Sequence, residues 1–305
     1  MKTNEMSFSK TNKVSFSAAK TSKVSFSVAK SKLLNSLLLA ALAVPGAAMA
    51  ADVETTEHKE GKHVIPSSDH TFTANIGLVS NYVFRGITQT LDKPALQGGL
   101  DYAHASGFYA GIWGSNVSWI IGSGATGDAG LELDTYAGFK NSFAGDFSYD
   151  VGFVRYNYPG SYTPPATYAK ADTNEIYGAI GYKWLSAKYS YALGQFLAVP
   201  GASGTSYLEA NAGYPVGDTG ITLGAHYGKQ TYKGTFADNL AAAGNTATYS
   251  DYKLGVTKDF SGYVFGMAYS NTNARKGGYY TYTSTSGVTK DWGRGAVVLS
   301  LVHAF

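Results

Sequence analysis

The chain is 305 residues long, with 24 basic and 21 acidic residues for a formal charge of +3, and it contains no cysteine but 24 tyrosines and 37 glycines. Without cysteine there is no disulfide framework, thiol nucleophile or thiolate metal site. Nor does the charge point to nucleic acid: residues 1–32 hold seven lysines against one acid, and beyond residue 50 there are 17 basic residues against 20 acidic ones.

In chain order, residues 1–50 read as a secretory signal peptide. A lysine-rich stretch leads to an apolar run over 33–44, Pro45-Gly46 breaks it, and Ala48-Met49-Ala50 fits a small-x-small cleavage site. The run is too short to cross a bilayer, which takes about 20 residues. The basic stretch is unusually long and holds a near-repeat, VSFSAAK at 14–20 and VSFSVAK at 24–30; Met6 is an alternative start. Residues 51–70 are polar and read as a flexible periplasmic leader. Their histidines, His58, His63 and His70, match no familiar metal-site spacing. No metal or cofactor is expected.

From Phe72 the pattern changes to period 2. Phe72, Ala74, Ile76 and Leu78 alternate with Thr73, Asn75, Gly77 and Val79. Eleven further segments follow the same rule: 95–103, 108–114, 131–139, 147–156, 175–182, 185–193, 207–214, 221–227, 249–256, 263–269 and 296–305. Alternation at this period marks strands with one apolar and one polar face. The connections alternate as well, short at 104–107, 142–146, 183–184, 215–220 and 258–262, and long at 83–94, 115–130, 157–173, 194–206, 228–248 and 270–295. The expected fold is all-β: a transmembrane antiparallel up-and-down barrel over 71–305, of about twelve strands, with short periplasmic turns and long outer loops. The loop 228–248 is a candidate plug. Tyr82, Tyr158, Tyr214, Tyr227, Tyr249 and Tyr269 stand at strand ends, where aromatic girdles meet a membrane interface.

The last segment puts Val297, Leu299, Leu301, His303 and Phe305 on one face and ends on an aromatic residue. That pattern resembles the assembly signal of bacterial outer-membrane proteins. The segment LVSNYVFRGI at 78–87, then KPALQGGLDY at 93–102 and GFYAGIWGSN at 107–116, resembles the N-terminal signature of the TorF family of porin-like proteins. The resemblance is strong over 78–116 and extends more loosely along the mature chain. It implies an outer-membrane barrel that passes small solutes, with no established catalytic residues. Expected partners are outer-membrane lipid and lipopolysaccharide, the assembly machinery, and small polar solutes.

Parity sorts the side chains. A turn centred on Ala105 pairs Asp101 with Tyr109, Gln97 with Trp113 and Leu100 with Ala110, so Gln97, Asp101 and Tyr109 face the lumen. The same reasoning adds Glu132, Asp134, Asp150, Glu175, Glu209 and Asp251, against Lys140, Lys188, Lys253 and Arg155. The excess of acids suggests a weak cation preference. Arg85, at the start of the first outer loop, is expected at the mouth, paired with Asp92 or a wall carboxylate, or touching a lipid headgroup or solute. The glycines around it lack the Lys-Ser/Thr and the helix of a phosphate-binding loop. A turn centred between Gly217 and Asp218 sets Glu209 opposite His226, an acid–base pair in form. Three readings remain open: a diffusion channel, a barrel hydrolase using Glu209 and His226, and a non-conducting structural or adhesive barrel.

Overall fold

The computed structural model describes residues 69–305 except 275–279 and 284–288. The proposed signal peptide, and the leader up to residue 68, lie outside the described residues. The first strands are β1 (His70–Val79), β2 (Val83–Phe84), β3 (Ile87–Thr88), β4 (Ala95–His104), β5 (Phe108–Asn116) and β6 (Thr126–Gly127). Next come β7 (Leu131–Phe143), β8 (Phe147–Asn157), β9 (Tyr162–Thr163), β10 (Thr173–Tyr182), β11 (Leu185–Ala192) and β12 (Ser206–Pro215). The last are β13 (Ile221–Thr231), β14 (Tyr249–Phe260), β15 (Tyr263–Thr272), β16 (Thr281–Thr283), β17 (Thr289–Asp291) and β18 (Ala296–Ala304). Two short helices, α1 (Trp119–Gly122) and α2 (Gly234–Ala242), lie in the loops.

Twelve strands close into one antiparallel barrel in the order β1-β18-β15-β14-β13-β12-β11-β10-β8-β7-β5-β4. Neighbours in sequence pair with each other, and β1 meets β18 with Leu78 opposite Leu301. Closure leaves no free strand edge, which a chain in hydrocarbon needs because lipid satisfies no backbone group. The short turns all fall at the end where β1 begins and β18 stops, and the long loops at the other.

The exterior explains the alternation. Leu100, Leu254, Met267 and Leu299 stand more than half exposed in the middle of their strands. Phe108, Trp184, Tyr214, Tyr263 and Phe305 are exposed at the turn end, and Tyr227, Tyr252 and Tyr269 toward the loop end. An apolar belt rimmed by aromatics is the outer surface of a membrane-spanning barrel. Only half of the expected tyrosine girdle lies on it, however. Tyr82, Tyr158 and Tyr249 are buried at 2%, 4% and 6% exposure, because the outer loops fold inward and give these rings a packed interior.

Two turns sit one residue later than parity placed them. The β4–β5 turn centres on Ser106, since the backbone reverses at Gly107, whose φ of +104° suits glycine alone. Gln97 therefore faces Ser115, Asp101 faces Gly111 and Leu100 faces Ile112. Pro215 remains in β12 opposite Thr222, and Val216 N–H closes the following turn on the Ile221 carbonyl at 2.9 Å. Asn211, not Glu209, is thus opposite His226. Each partner moves by two residues, so every side chain keeps its face.

Candidate functional site: a hairpin across the lumen

The first outer loop does not stay at the rim. β2 and β3 form a miniature hairpin whose two-residue turn is Arg85-Gly86, with φ of +48° and +76°. Two consecutive left-handed residues are what the tightest right-twisting hairpins require. Glycine accepts this freely; arginine accepts it at a cost, which its contacts offset. The stem is pinned by Thr88 donating to the Asn81 amide oxygen at 2.6 Å and Gln89 N–H donating to the Tyr82 carbonyl at 2.7 Å.

The tip reaches the far wall. Arg85 donates through both terminal nitrogens to the Glu175 carboxylate on β10, at 3.0 and 2.8 Å, and through Nη1 to the Gln230 side chain on β13 at 3.0 Å. Its guanidinium lies 4.4 Å from the Tyr207 ring centroid and 4.8 Å from that of Phe84. Beside it, a Cβ on Gly86 would collide with Asp251 on β14. Arg85 is therefore buried at 4% exposure, paired with a wall carboxylate rather than Asp92 or a lipid headgroup. Asp92 stays near the rim, bound to Arg294 at 2.7 Å. The inserted element is this hairpin and not 228–248, whose helix α2 buries none of its residues.

Below and around the hairpin the inward side chains form linked polar groups. Tyr82 donates to Glu132 at 2.9 Å. Burial, then the nearby Glu132 and Asp134 carboxylates, raise the Tyr82 phenol well above its usual pKa and keep it a donor. Asp134 is fully buried, and neither of its carboxylate oxygens has a hydrogen-bond partner among the described residues. Tyr109 donates to Asp150 at 2.6 Å and touches the Tyr177 hydroxyl, while Tyr136 donates to Asp101 at 2.5 Å. These rings lie over glycines of the paired strands: a Cβ on Gly111 would strike Tyr136, and one on Gly138 would strike Tyr109. Lys188 and Lys140 lie over the rings of Tyr177 and Tyr109 at 4.2 and 5.4 Å. Among the described residues, the Gln97 amide nitrogen donates to the Ser115 hydroxyl at 3.4 Å.

His226 sits in the other half of the wall. Its Nδ1 is 2.6 Å from the Asn211 amide oxygen and 3.6 Å from Glu209. Its Nε2 is 3.0 Å from Asp251 and 2.9 Å from the Tyr207 hydroxyl, and Lys253 is its cross-strand partner. Its closest carboxylate is therefore Asp251. Its side-chain partners among the described residues include no serine or threonine to act as a nucleophile, so the geometry does not favour a Glu209–His226 hydrolase. Arg155 does not join the lumen groups. It follows the outward parity of Phe153 and pairs with Asp172 at 3.0 Å, both side chains more than a third exposed.

Sequence reasoning missed Tyr136, Tyr177, Tyr207 and Gln230. Their signal was present: Tyr207 is two residues from Glu209 and Gln230 four from His226, so each shares that residue's face. Tyr82 carried no such signal, because it belongs to a loop.

The profile of a family described as "Bacterial protein of unknown function (Gcw_chp)" matches residues 63–305. No curated protein matches the chain. Among solved structures, the KdgM porin in complex with disordered oligogalacturonate aligns at 9% identity and a TM-score of 0.42, over 77% of this chain and 99% of that one. OccD3 (OpdP) of Pseudomonas aeruginosa aligns at 11% identity and a TM-score of 0.37, over 80% of this chain and 66% of that one. OccAB3 of Acinetobacter baumannii aligns at 10% identity and a TM-score of 0.39, over 79% of this chain and 66% of that one. The chain thus spans just under two thirds of the length of the last two.

Proposed function

The chain belongs to the Gcw_chp family, and from that premise we propose that it is an outer-membrane channel of a Gram-negative bacterium, through which small polar solutes diffuse past the Arg85 hairpin. The observation that carries this reading is the contrast between the two faces of one closed wall. The outside is an apolar belt, while the inside holds Asp101, Glu132, Asp134, Asp150, Glu175, Glu209 and Asp251 with Arg85, Lys140, Lys188 and Lys253. A barrel with no aqueous task could fill its lumen with apolar side chains at lower cost. A signal peptide cleaved near Ala50, the resemblance of 78–116 to the TorF family, and the outward row Val297, Leu299, Leu301 and Phe305 support the same destination. In this reading that row is what the assembly machinery engages.

The inserted hairpin makes the channel narrow rather than wide. The excess of inward carboxylates supports a preference for cations over anions. The test is single-channel recording in planar bilayers. Discrete conductance steps are expected from the wild type, with larger steps once 83–88 is replaced by a short glycine-serine link. A folded barrel that stays silent in both forms overturns the reading.

A further inference from the structure

The inward side chains of the barrel fall into two sets. From β7 round to β14 they are large, mostly charged or phenolic, and packed: Asp134, Glu175, Tyr177, Tyr207, His226 and Asp251 are each no more than 8% exposed. The hairpin tip docks on this half. The three strands that close the ring, β15, β18 and β1, differ. Their inward positions hold only glycine, alanine, valine, serine, threonine and asparagine. On β18 no inward residue from Ala296 to Ala304 is buried, which is true of no other barrel strand.

Hydrogen bonding separates the two sets as well. In the packed half, Tyr207 donates to Asp251 at 2.8 Å and Asn211 to Glu209 at 3.2 Å. Thr73, Asn75 and Ser300, on β1 and β18, are partly exposed, and their side chains make no hydrogen bond among the described residues. Such groups are open to water or to a passing solute. Ser300 Oγ lies over Gly266 of β15, where a Cβ would collide with it. The charges that flank this strip, Asp101 on β4 and Lys253 and Asp259 on β14, stand on the neighbouring strands, in register with Thr73, Ser270 and Val264.

We propose that the water path is off-centre: it runs along β15, β18 and β1, where Thr73, Asn75 and Ser300 are the groups a passing solute meets, while the charged half of the lumen and the hairpin tip form a fixed wedge. Walls that offer hydrogen bonds without charge suit an uncharged polar solute of the polyol class. Carboxylates set back behind the path act on it only through their field, which fits a weak cation preference. The inference deepens the channel reading and rests on it.

The experiment uses the absence of cysteine from the chain, which makes any introduced thiol unique. Ser300→Cys places it on the proposed path. Ser190→Cys places it inward on β11, where Ser190 is 2% exposed. Each barrel is treated with the thiol reagent 2-(trimethylammonium)ethyl methanethiosulfonate, and labelling is followed by mass spectrometry. Planar bilayers report conductance before and after labelling, and vesicle swelling reports entry of xylitol. Folding is checked by resistance to SDS before heating; Ala268→Cys replaces Ser300→Cys if the latter does not fold. Labelled Ser300→Cys should lose more than about half of its conductance, since the added group narrows the path, and its xylitol entry should slow in step. Ser190→Cys should label about tenfold more slowly, because thiol chemistry follows exposure, and keep its conductance. Equal labelling of the two thiols, or a current that Ser300→Cys labelling leaves unchanged, overturns the inference and leaves the channel standing. Exclusion of xylitol by a barrel that passes ions overturns the solute class. A wild type that never conducts removes the channel, and this path with it.

Discussion

Arg85 and Glu175, 90 residues apart in sequence, meet in a two-pronged ion pair of 3.0 and 2.8 Å inside the barrel, with side-chain exposures of 3% and 0%. The pair ties the first outer loop to the opposite wall. Removing one member leaves a buried charge with no opposite charge beside it, which costs about 3–5 kcal/mol. Arg85→Ala should lower stability by that order in urea titrations of the refolded barrel, unless the hairpin swings out and lets water reach Glu175. Arg85→Lys should recover only part of the loss, because an ammonium cannot match the planar fork. An Arg85→Met, Glu175→Leu double variant should be more stable than either single one.

Gly86 sets the hairpin's depth. At φ +76°, with Asp251 in the space a Cβ would fill, any side chain is both strained and obstructed. Gly86→Val should expel the tip and leave the barrel strands intact. Planar bilayers should then report a larger single-channel conductance, with unchanged strand content by circular dichroism.

The proposed cation preference is tested at the inward carboxylates. In a salt gradient, the reversal potential of the wild type should favour cations, and a Glu132→Gln, Asp134→Asn variant should shift it toward anions. A wild-type potential of anionic sign would remove the electrostatic half of the proposed function. Raised salt should weaken the preference, more so for groups near the rim than for the buried pair.

The lipid-facing belt gives a test independent of conduction. Leu254 is 59% exposed in mid-strand while its neighbour Lys253 turns inward. Leu254→Arg should cost about 2–4 kcal/mol in bilayers, the penalty for a charge near the membrane midplane. Leu254→Met should cost far less, measured by the same reversible unfolding.

The ring-over-glycine packing predicts an overpacking defect. Gly111→Val thrusts methyl groups into the Tyr136 ring and should cost about 1–3 kcal/mol. Adding Tyr136→Ala should recover part of that loss, since it vacates the same space, although the Asp101 carboxyl then loses its donor.

The wall was legible in the sequence for a physical reason. A strand between lipid and lumen must alternate, so twelve alternating segments and their short-long connections carried the strand number and the faces. Those faces held even where the turns were misplaced. Moving the β4–β5 and β12–β13 registers by two residues preserves parity, so Asp101, Tyr109, Glu209 and His226 stayed inward while their partners changed. The lumen assignment failed at Arg155, which shares the outward parity of Phe153 near the end of β8 and pairs with Asp172 at the loop boundary. The strand-end tyrosines were ambiguous by sequence, since the same ring suits a membrane interface or a packed loop. Tyr214, Tyr227 and Tyr269 took the first place, and Tyr82, Tyr158 and Tyr249 the second.

What alternation and the pattern of connections settled by themselves was a closed barrel with an apolar outside and a polar inside, because both are local properties read along one strand at a time. What fills the inside was settled only by closure. Arg85-Gly86 carries a local turn signal, yet nothing near it in the chain says that the hairpin turns inward. Its partners are Glu175 and Gln230, 90 and 145 residues away, brought within 3.0 Å only because the twelve strands curl into a ring. A pocket above it, lined by Phe84, Trp119, Phe196 and Trp292 among others, has the same origin, since its walls come from loops that are distant in sequence and meet only at the outer end of the barrel.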